Sequence, residues 1–561
     1  MRAPRADSSG RPVFKYRLRF PSQTSFGITV SLLWALLYNV TFWHSTARAM
    51  WYPHASSFLF FASLLIVMIA AHATLLLLVP TRPGLRIVAS LLFVVSALSA
   101  YFSDTYGALM NGEMMRNVVQ TDPAEVRGLV TAGLLIRLVF LGVLPAILVW
   151  WVAMPRTGFR EELKQRAIFL GVAWLLAAVS MLAASASYAV FLREHKPLRS
   201  FAAPMAVVAN SVGLLVARER TEYTGPLLHE GGVAHRLAPQ GTKPLVLFLV
   251  IGETARAANF ELGGYPRETN PRLKDEPDLV YFDHATSCGT STATSVPCIF
   301  SPFGRATFNV DLADRYANLL DVLESAGIDV EWRDNNAGCK GVCKRVRAIS
   351  YASRPDRALC PHSYCFDEVM LKDLPQRLGG VTRDTIIVFH QIGSHGPAYA
   401  ERYPEAAERF RPACRSNELH RCSSEQIVNA YDNSIAYTDS VLARQIDLLR
   451  DAAERLDGAL IYASDHGESL GEGGVYLHGL PYSMAPGAQK EIPLLVWTSS
   501  GSRQRIGLDE ECLKRQAHQP VSHDNLYHTV MGLFGVRNGA FDGKLDLLAA
   551  CRREASKVKA R

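Results

Sequence analysis

Five apolar segments before residue 195 constrain the fold of this 561-residue chain more than any other feature. Each segment approaches the ~20 residues that cross a bilayer as a helix. A helix of a soluble domain rarely stays apolar on every side over that length. We therefore predict a membrane domain of five transmembrane helices over residues 1–195. The segments are Phe26–Trp43, Ser56–Val79, Leu85–Phe102, Leu129–Val152 and Ala167–Leu192.

Basic residues flank these segments on one side of the membrane. A short turn with Arg82 and Arg86 joins the second and third segments. Between the fourth and fifth lie Arg156, Arg160, Lys164 and Arg166. The positive-inside rule places such flanks in the cytoplasm. Five crossings then put everything after Leu192 outside. The basic residues before the first segment are Arg2, Arg5, Arg11, Lys15, Arg17 and Arg19.

All ten cysteines follow residue 280, on the side of the membrane that this orientation makes external. Close pairs of cysteines predict disulfides, which form in an oxidising compartment. A zinc cluster is the alternative, but the spacings do not assemble a regular set of four ligands. The sequence alone does not fix the connectivity. Pairing of nearest neighbours would join Cys288 with Cys298, Cys339 with Cys343, Cys360 with Cys365, Cys414 with Cys422 and Cys512 with Cys551.

Residues 196–243 read as a linker between two domains. The apolar run Phe201–Val216, followed by Arg218 and Arg220, predicts an amphipathic helix on the membrane surface. The net charge of +7 favours an anionic membrane surface. Because the basic residues are dispersed and form no nucleic-acid-binding motif, we expect no nucleic-acid partner.

From residue 244 to 561, strand and helix patterns alternate, which predicts an α/β layered domain with a largely parallel sheet. Functional sites in such sheets lie beyond the carboxyl ends of the strands. The predicted strands are Pro244–Ile251, Ile328–Trp332, Thr385–Phe389, Ala459–Ala463 and Ile492–Trp497, and the predicted helices include Leu312–Ala326 and Gln426–Ala453.

Potential metal ligands follow two of these strands. Glu253 comes after the first, and Asp465 and His466 come after the fourth. Carboxylate oxygens and an imidazole nitrogen suit Zn²⁺, and a hydroxyl in the open coordination position would become a nucleophile. Other histidines near strand ends are candidates for phosphate contact, acid–base catalysis or a second metal. They are His390, His395 and His478.

The segment between Cys288 and Cys298 is rich in hydroxyl side chains. It is either a polar loop pinned by a disulfide or a loop that presents a nucleophile. Spacing does not choose among its hydroxyls. They belong to Thr290, Ser291, Thr292, Thr294 and Ser295.

A second polar feature lies between the third and fourth apolar segments. Asn117, Thr121 and Glu125 follow one another at intervals of four residues and would form one ridge of a helix, although Pro123 disfavours a straight helix there. A solvated loop beside the membrane is the alternative.

Six motifs together resemble the lipid A phosphoethanolamine transferases, a family that includes the mobilised colistin-resistance enzymes. The resemblance covers nearly the whole chain and implies a catalytic domain of the alkaline phosphatase/sulfatase fold. The motifs are V-I-G-E-T from Val250, C-G-T-S-T-A-T-S-V-P-C from Cys288, G-C-K-G-V-C from Gly338, H-Q-I-G-S-H-G-P from His390, S-D-H-G-E-S-L-G-E from Ser464 and Y-L-H-G-L-P-Y from Tyr476.

The resemblance also implies a role for each matching residue. Thr292 would be the nucleophile. One principal zinc site would be formed by Glu253, Thr292, Asp465 and His466, with room for a second metal. Lys340, His395 and His478 would hold the phosphate, and Asn117, Thr121 and Glu125 would reach the substrate from the membrane domain. Relatives often carry a hydroxyl residue where this chain has Ala337.

The resemblance implies transfer of phosphoethanolamine from phosphatidylethanolamine to a lipid A phosphate through a phospho-threonine intermediate. It also implies a multi-pass protein of the bacterial inner membrane whose catalytic domain lies in the periplasm. Alternative acceptors are lipopolysaccharide core sugars, a periplasmic glucan or a protein. A glycerophosphate transferase of the lipoteichoic acid type is a further alternative. A sulfatase is disfavoured because no C/S-x-P-x-R motif surrounds the nucleophile. A non-enzymatic binding protein would require the metal ligands to be coincidental.

Overall fold

The computed structural model describes residues 19–51, 55–121, 123–155, 158–221, 225–237, 241–351, 356, 358–361 and 364–553, without the side chains of 124–125 and 217–221. The described residues therefore leave out most of the basic residues that precede the first apolar segment. They also leave out the side chains of Glu125, Arg218 and Arg220. The chain forms two compact units: a helical unit, Met1–Met115 with Val130–Leu214, and a sheet unit, Arg116–Leu129 with Leu215–Arg561.

Among its described residues, the helical unit contains four helices or helical runs long and apolar enough to cross a membrane, Ala55–Leu77, Arg82–Tyr106, Ala132–Trp151 and Phe159–Ala183. A fifth span results if the bent pair Gln23–Leu37 and Val40–Met50 counts as one. The helices before the sheet unit's strands are α1 (Gln23–Leu37), α2 (Val40–Met50), α3 (Ala55–Leu77), α4 (Arg82–Tyr106), α5 (Gly112–Gln120), α6 (Pro123–Leu129), α7 (Ala132–Arg137), α8 (Leu144–Trp151), α9 (Phe159–Ala183), α10 (Ser185–Glu194) and α11 (Met205–Thr221).

The first predicted span differs from a straight helix, because α1 and α2 meet at an angle of 60°. Asn39 lies at the break and explains it. Its side-chain amide donates hydrogen bonds to the carbonyls of Trp34 and Ala203, and its side-chain oxygen accepts one from the Ala203 backbone N–H. These bonds replace helical ones at the bend, so a buried polar side chain stabilises an interrupted helix.

The polar ridge predicted between the third and fourth spans is also divided. Helix α5 ends at Gln120, and α6 begins with Pro123 at the first helical position, where the missing N–H of proline costs nothing. Thr121, between the helices, donates its hydroxyl hydrogen to the Asn117 carbonyl. Residues 116–129 group with the sheet unit.

An eight-stranded sheet with the order β11-β3-β10-β7-β2-β6-β4-β5 organises the sheet unit. Every strand runs parallel except β10, which is antiparallel to both β3 and β7. The strands of the unit are β1 (His235–Arg236), β2 (Leu245–Gly252), β3 (Leu279–Thr286), β4 (Asp329–Asp334), β5 (Arg347–Ser350), β6 (Thr385–His390), β7 (Asp457–Ser464), β8 (Ser469–Leu470), β9 (Tyr476–Leu477), β10 (Glu491–Thr498), β11 (Val521–Ser522) and β12 (Val536–Arg537).

Two apolar cores cover the two faces of this sheet. In β2, Leu245, Leu247, Leu249 and Ile251 contribute to one core, while the alternate residues contribute to the other. This alternation follows from the two-residue period of a strand, and burial on both faces explains why β2 is a continuous apolar run. The remaining helices are α12 (Thr292–Ile299), α13 (Leu319–Ser325), α14 (Leu374–Gly379), α15 (Ser424–Asp451), α16 (Ser500–Ile506), α17 (Glu510–Gln516) and α18 (Asp524–Leu533).

The predicted helix Leu312–Ala326 was too long, since α13 begins only at Leu319. Asn318 caps this helix: its side chain accepts from the N–H groups of Leu320 and Asp321, and Asp321 in turn accepts from the Asn318 N–H. Such a capping box fixes a helix start more firmly than apolar periodicity does.

The structure contains five disulfides, all within the sheet unit. They are the pairs given by nearest-neighbour spacing, including the long-range pair of Cys512 with Cys551. The bond between Cys288 and Cys298 encloses the hydroxyl-rich segment.

Candidate active site

The parallel strands bring the predicted ligands to one edge of the sheet. Glu253 directly follows β2, and Asp465 directly follows β7, which pairs with β2 up to Gly252. The hydroxyl-rich segment follows β3, whose carboxyl end lies at the same edge because β3 and β7 both run antiparallel to β10. The site therefore lies where ligands bind in open α/β sheets.

Thr292 is the hydroxyl that this arrangement places against the predicted ligands. Its Oγ1 lies 3.2 and 3.1 Å from the two carboxylate oxygens of Glu253 and 3.4 Å from His466 Nε2. Thr292 is also the first residue of α12, with Ser291 as the N-cap. The positive end of a helix favours negative charge, so this position suits an ionised hydroxyl or a phosphoryl group.

A hydrogen bond to the backbone of the next residue sets the orientation of the His466 ring. Nδ1 donates to the Gly467 carbonyl at 2.9 Å, which leaves the Nε2 lone pair facing the site. Nε2 lies 3.2 Å from Asp465 Oδ2 and 3.5 Å from Glu253 Oε1. Asp465 Oδ1 accepts from the N–H groups of Thr254 and His466. The other carboxylate oxygen, Oδ2, is buried and faces His466.

This donor set fits a divalent cation. Glu253, Asp465 and His466 are fully buried, and their ligand atoms lie within 4.8 Å of one another. Burial and the adjacent Asp465 raise the pKa of Glu253 to about 8, and burial raises the pKa of Asp465 to about 7. Burial lowers the pKa of His466 to about 4. At pH 7 these raised pKa values leave both carboxyl groups partly protonated, and a bound divalent cation would displace those protons. Zn²⁺ is a common ion for such oxygen and nitrogen ligands.

Next to Thr292 is a small cavity of about 40 Å³. Its lining includes all three residues predicted to hold phosphate, together with residues of α5 and Thr121 just after that helix. Ala337 also lines it, whereas Glu125 lies outside the described side chains. The lining residues are Asn117, Gln120, Thr121, Thr292, Ala293, Asn336, Ala337, Lys340, His395 and His478.

The histidines of this cavity are held in neutral form. Burial lowers the pKa of His478 to about 4, and burial together with the nearby His478 lowers the pKa of His395 well below its usual value. His478 Nδ1 lies 2.7 Å from Glu468 Oε2, and Glu468 Oε1 accepts from the Tyr399 hydroxyl at 2.7 Å. The contact of Nδ1 with Glu468 holds the His478 ring at the wall of the cavity.

Sequence reasoning missed two side chains that hold these groups in place. Asn336 donates to Glu253 Oε2 at 2.7 Å and to the Gln391 carbonyl at 2.8 Å. It follows the end of β4 by two residues. Glu468 belongs to a motif that was identified, but only its contact with His478 reveals a role. His390, a further candidate, is fully buried beside Asp334 and does not line the cavity.

Comparison with known proteins identifies the family. Residues 246–536 match the sulfatase family, and residues 29–218 match the family described as phosphoethanolamine transferase EptA/EptB. Phosphoethanolamine transferase EptA of Escherichia coli K12 is 37% identical over 546 residues, covering 95% of this chain and 99% of that protein. The chain belongs to the phosphoethanolamine transferase family.

Other members of the family match it at similar levels. Phosphatidylethanolamine transferase Mcr-1 of Escherichia coli is 36% identical over 509 residues, covering 89% of this chain and 92% of that protein. The integral membrane lipooligosaccharide phosphoethanolamine transferase A of Neisseria meningitidis superposes with a TM-score of 0.92 at 33% identity, covering 96% of this chain and 100% of that one. The predicted membrane helical domain and sulfatase-type α/β domain are thus confirmed.

Proposed function

We propose that this transferase moves phosphoethanolamine from phosphatidylethanolamine to a phosphate of lipid A, with Thr292 as the nucleophile. The observation that carries the proposal is the position of Thr292 Oγ1, within 3.4 Å of Glu253 and His466 and at the edge of a cavity lined by Lys340 and His478. A hydroxyl placed between a ligand set and a small cavity lined by a lysine and two histidines is arranged for phosphoryl transfer.

Glu253, Asp465, His466 and the Thr292 hydroxyl would hold the zinc ion. When bound, zinc supplies positive charge that lowers the pKa of a coordinated hydroxyl. Residues of the chain stabilise the charge of the phosphoryl group and hold the ligands in place. Lys340 provides a cation for the phosphoryl oxygens, and the amino end of α12 adds a favourable dipole. Asn336 fixes the carboxylate of Glu253 through a hydrogen bond of 2.7 Å.

The reaction has two balanced halves. In the first, Thr292 Oγ1 attacks phosphorus, and the bond between phosphorus and the glycerol oxygen breaks. Diacylglycerol leaves as an alcohol after it takes up a proton, and phosphoethanolamine remains on Thr292. In the second, a phosphate oxygen of lipid A attacks the same phosphorus and releases Thr292. Each half uses the same cavity, which is the basis of a ping-pong mechanism.

Lipid A is the acceptor that the family resemblance implies, and the lipooligosaccharide in the name of the Neisseria meningitidis relative agrees with a lipid-linked acceptor. The added amine reduces the negative charge of the lipid surface, which weakens the attraction of cationic peptides such as polymyxin. We place the protein in the bacterial inner membrane with the sheet unit in the periplasm, because five disulfides require an oxidising compartment.

The test is expression of wild type, Thr292→Ala and Thr294→Ala in a polymyxin-sensitive Gram-negative host, followed by mass spectrometry of lipid A. Thr294 is a matched control because its hydroxyl belongs to the same helix but contacts Ser291 instead of the ligand set. We expect phosphoethanolamine on lipid A with wild type and Thr294→Ala and unmodified lipid A with Thr292→Ala. Unmodified lipid A with folded wild-type protein would exclude this acceptor.

A further inference from the structure

Three contacts from separate parts of the sheet unit anchor the loop that leads to Thr292. The Ser287 N–H donates to the Lys490 carbonyl at 2.8 Å, and the Thr290 hydroxyl donates to the Leu480 carbonyl at 2.5 Å. The third is made by a side chain: the Cys288 N–H donates to His523 Nδ1 at 3.0 Å. Position 523 has no role in the proposed reaction and does not line the cavity.

His523 also contacts the strand end that carries the ligands. Its Nε2 lies 2.8 Å from the carbonyl of Ser464, the last residue of β7 and the one before Asp465. Because Nδ1 accepts a hydrogen bond, the proton of the neutral ring is on Nε2 and is donated to Ser464. One imidazole therefore joins two segments that are far apart in sequence, the loop before Thr292 and the turn of Asp465 and His466.

The backbone holds this histidine firmly. Val521 and Ser522 pair in parallel with the end of β3, and the His523 N–H donates to the Thr286 carbonyl at 3.1 Å. His523 directly precedes α18, and only 1% of its surface is exposed. A buried ring with both nitrogens bonded and its backbone tied to β3 has one orientation available.

We propose that His523 is a positioning residue, whose neutral imidazole fixes the nucleophile loop relative to the ligand-bearing end of β7. This inference rests on the proposed function, since it assumes that Thr292 is the nucleophile. His523 touches neither substrate nor ligand atoms; it acts through Cys288 and Ser464. A shift of the loop of about 1 Å is enough to lower a transfer rate about 100-fold, because the reacting atoms leave their line of attack.

The ring remains neutral under working conditions. Burial lowers the pKa of His523 to about 4. At neutral pH, Nδ1 therefore accepts from Cys288 and does not compete with it as a second donor. The contact is a permanent part of the fold at pH 7.

Two substitutions separate the two bonds. In His523→Asn, the side-chain oxygen takes the place of Nδ1 and retains the bond to Cys288 while losing the bond to Ser464. In His523→Gln, the terminal amide retains a donor for Ser464 while the bond to Cys288 is lost. The matched control is His528→Asn. His528 is a buried histidine of α18 whose Nδ1 also accepts a backbone N–H, from Asp542 at 3.1 Å, away from the nucleophile loop.

The assay measures release of diacylglycerol from fluorescent phosphatidylethanolamine by the full chain in detergent, together with melting temperature and zinc content. For both His523 variants we expect kcat to fall about 10- to 100-fold with KM within about twofold of wild type. Their zinc content should equal that of wild type. For His528→Asn we expect a similar change in melting temperature but kcat within about twofold of wild type.

The inference is overturned if both His523 variants keep wild-type kcat, or if kcat falls equally in His528→Asn, since a general loss of packing would then explain it. Loss of zinc from the His523 variants would also overturn it, because the ligand set itself would be disturbed. Different results would contradict the proposed function itself: release of no diacylglycerol by wild type, or release by Thr292→Ala as fast as by wild type.

Discussion

Binding of Zn²⁺ to the metal-free protein should release protons in an amount that the buried carboxylates determine. Metal ligands must lose their protons before they coordinate, so a ligand that is protonated in the metal-free state gives up its proton on binding. Burial raises the pKa of Glu253 to about 8 and that of Asp465 to about 7. Both pKa values lie near the pH of an ordinary assay, so the effect is measurable.

The magnitude follows from these two values. At pH 7 a carboxyl group with a pKa of about 8 is about 90% protonated, and one with a pKa of about 7 is about half protonated. His466, with a pKa of about 4, is already neutral and releases nothing. Zinc should therefore displace about 1.4 protons at pH 7 and about 0.6 of a proton at pH 8. Ionisation of the Thr292 hydroxyl on binding would add one proton at each pH.

Isothermal titration calorimetry in buffers of different ionisation enthalpy measures this release directly. Thr292→Ala removes the contribution of the hydroxyl, and Glu253→Gln removes the larger carboxylate contribution and weakens zinc binding. The sign of the pH dependence is fixed: zinc affinity rises as the pH rises from 6 to 8, because fewer protons compete. Proton release near zero at pH 7, or release that does not decrease towards pH 8, would refute the placement of Glu253 and Asp465 in the metal site.

Three further predictions test the surroundings of the site. Asn336→Ala removes a hydrogen bond to Glu253, so zinc affinity should fall about 10- to 100-fold in a competition titration. Arg116 and Asp311 form a partly exposed ion pair of 2.5 Å next to Asn117; Arg116→Ala should raise KM up to about fivefold, and reversing both charges should restore it. Burial raises the pKa of Asp439 from 3.8 to about 7, so its contribution to stability is present at acid pH and lost as the pH rises through this window. Asp439→Asn should flatten the pH dependence of the unfolding midpoint between pH 4 and 7, and an unchanged dependence would contradict that assignment.

The sequence predicted features that depend on local pattern or on chain order. The apolar segments were long enough to identify the membrane helices, and β2, β6 and β7 were apolar runs because both faces of the sheet are covered. Because the predicted strands are parallel, their carboxyl ends meet at one edge of the sheet, and this alone predicted that Glu253 and Asp465 lie close together. The bend at Asn39 and the late start of α13 at Leu319 were missed, since both depend on hydrogen bonds of a single polar side chain.

The choice of nucleophile needed more than local pattern. Among the five hydroxyls between Cys288 and Cys298, only the resemblance selected Thr292, and the structure places its Oγ1 3.1 Å from Glu253. Strand β3, which leads into that segment, was not predicted, because the polar residues Asp283 and His284 interrupt its apolar pattern. His523 carried no signal at all, since its two bonds join residues that are distant in sequence.

The most direct test of the account is identification of the residue that carries phosphoethanolamine during turnover. The full chain is incubated with phosphatidylethanolamine without acceptor, quenched in acid and analysed by peptide mass spectrometry. We predict one phosphoethanolamine group on Thr292, absent from Thr292→Ala and lost from wild type when lipid A is added. Modification of Ser291 or Thr290 instead, or continued transfer to lipid A by Thr292→Ala, would contradict the assignment of Thr292 as the nucleophile.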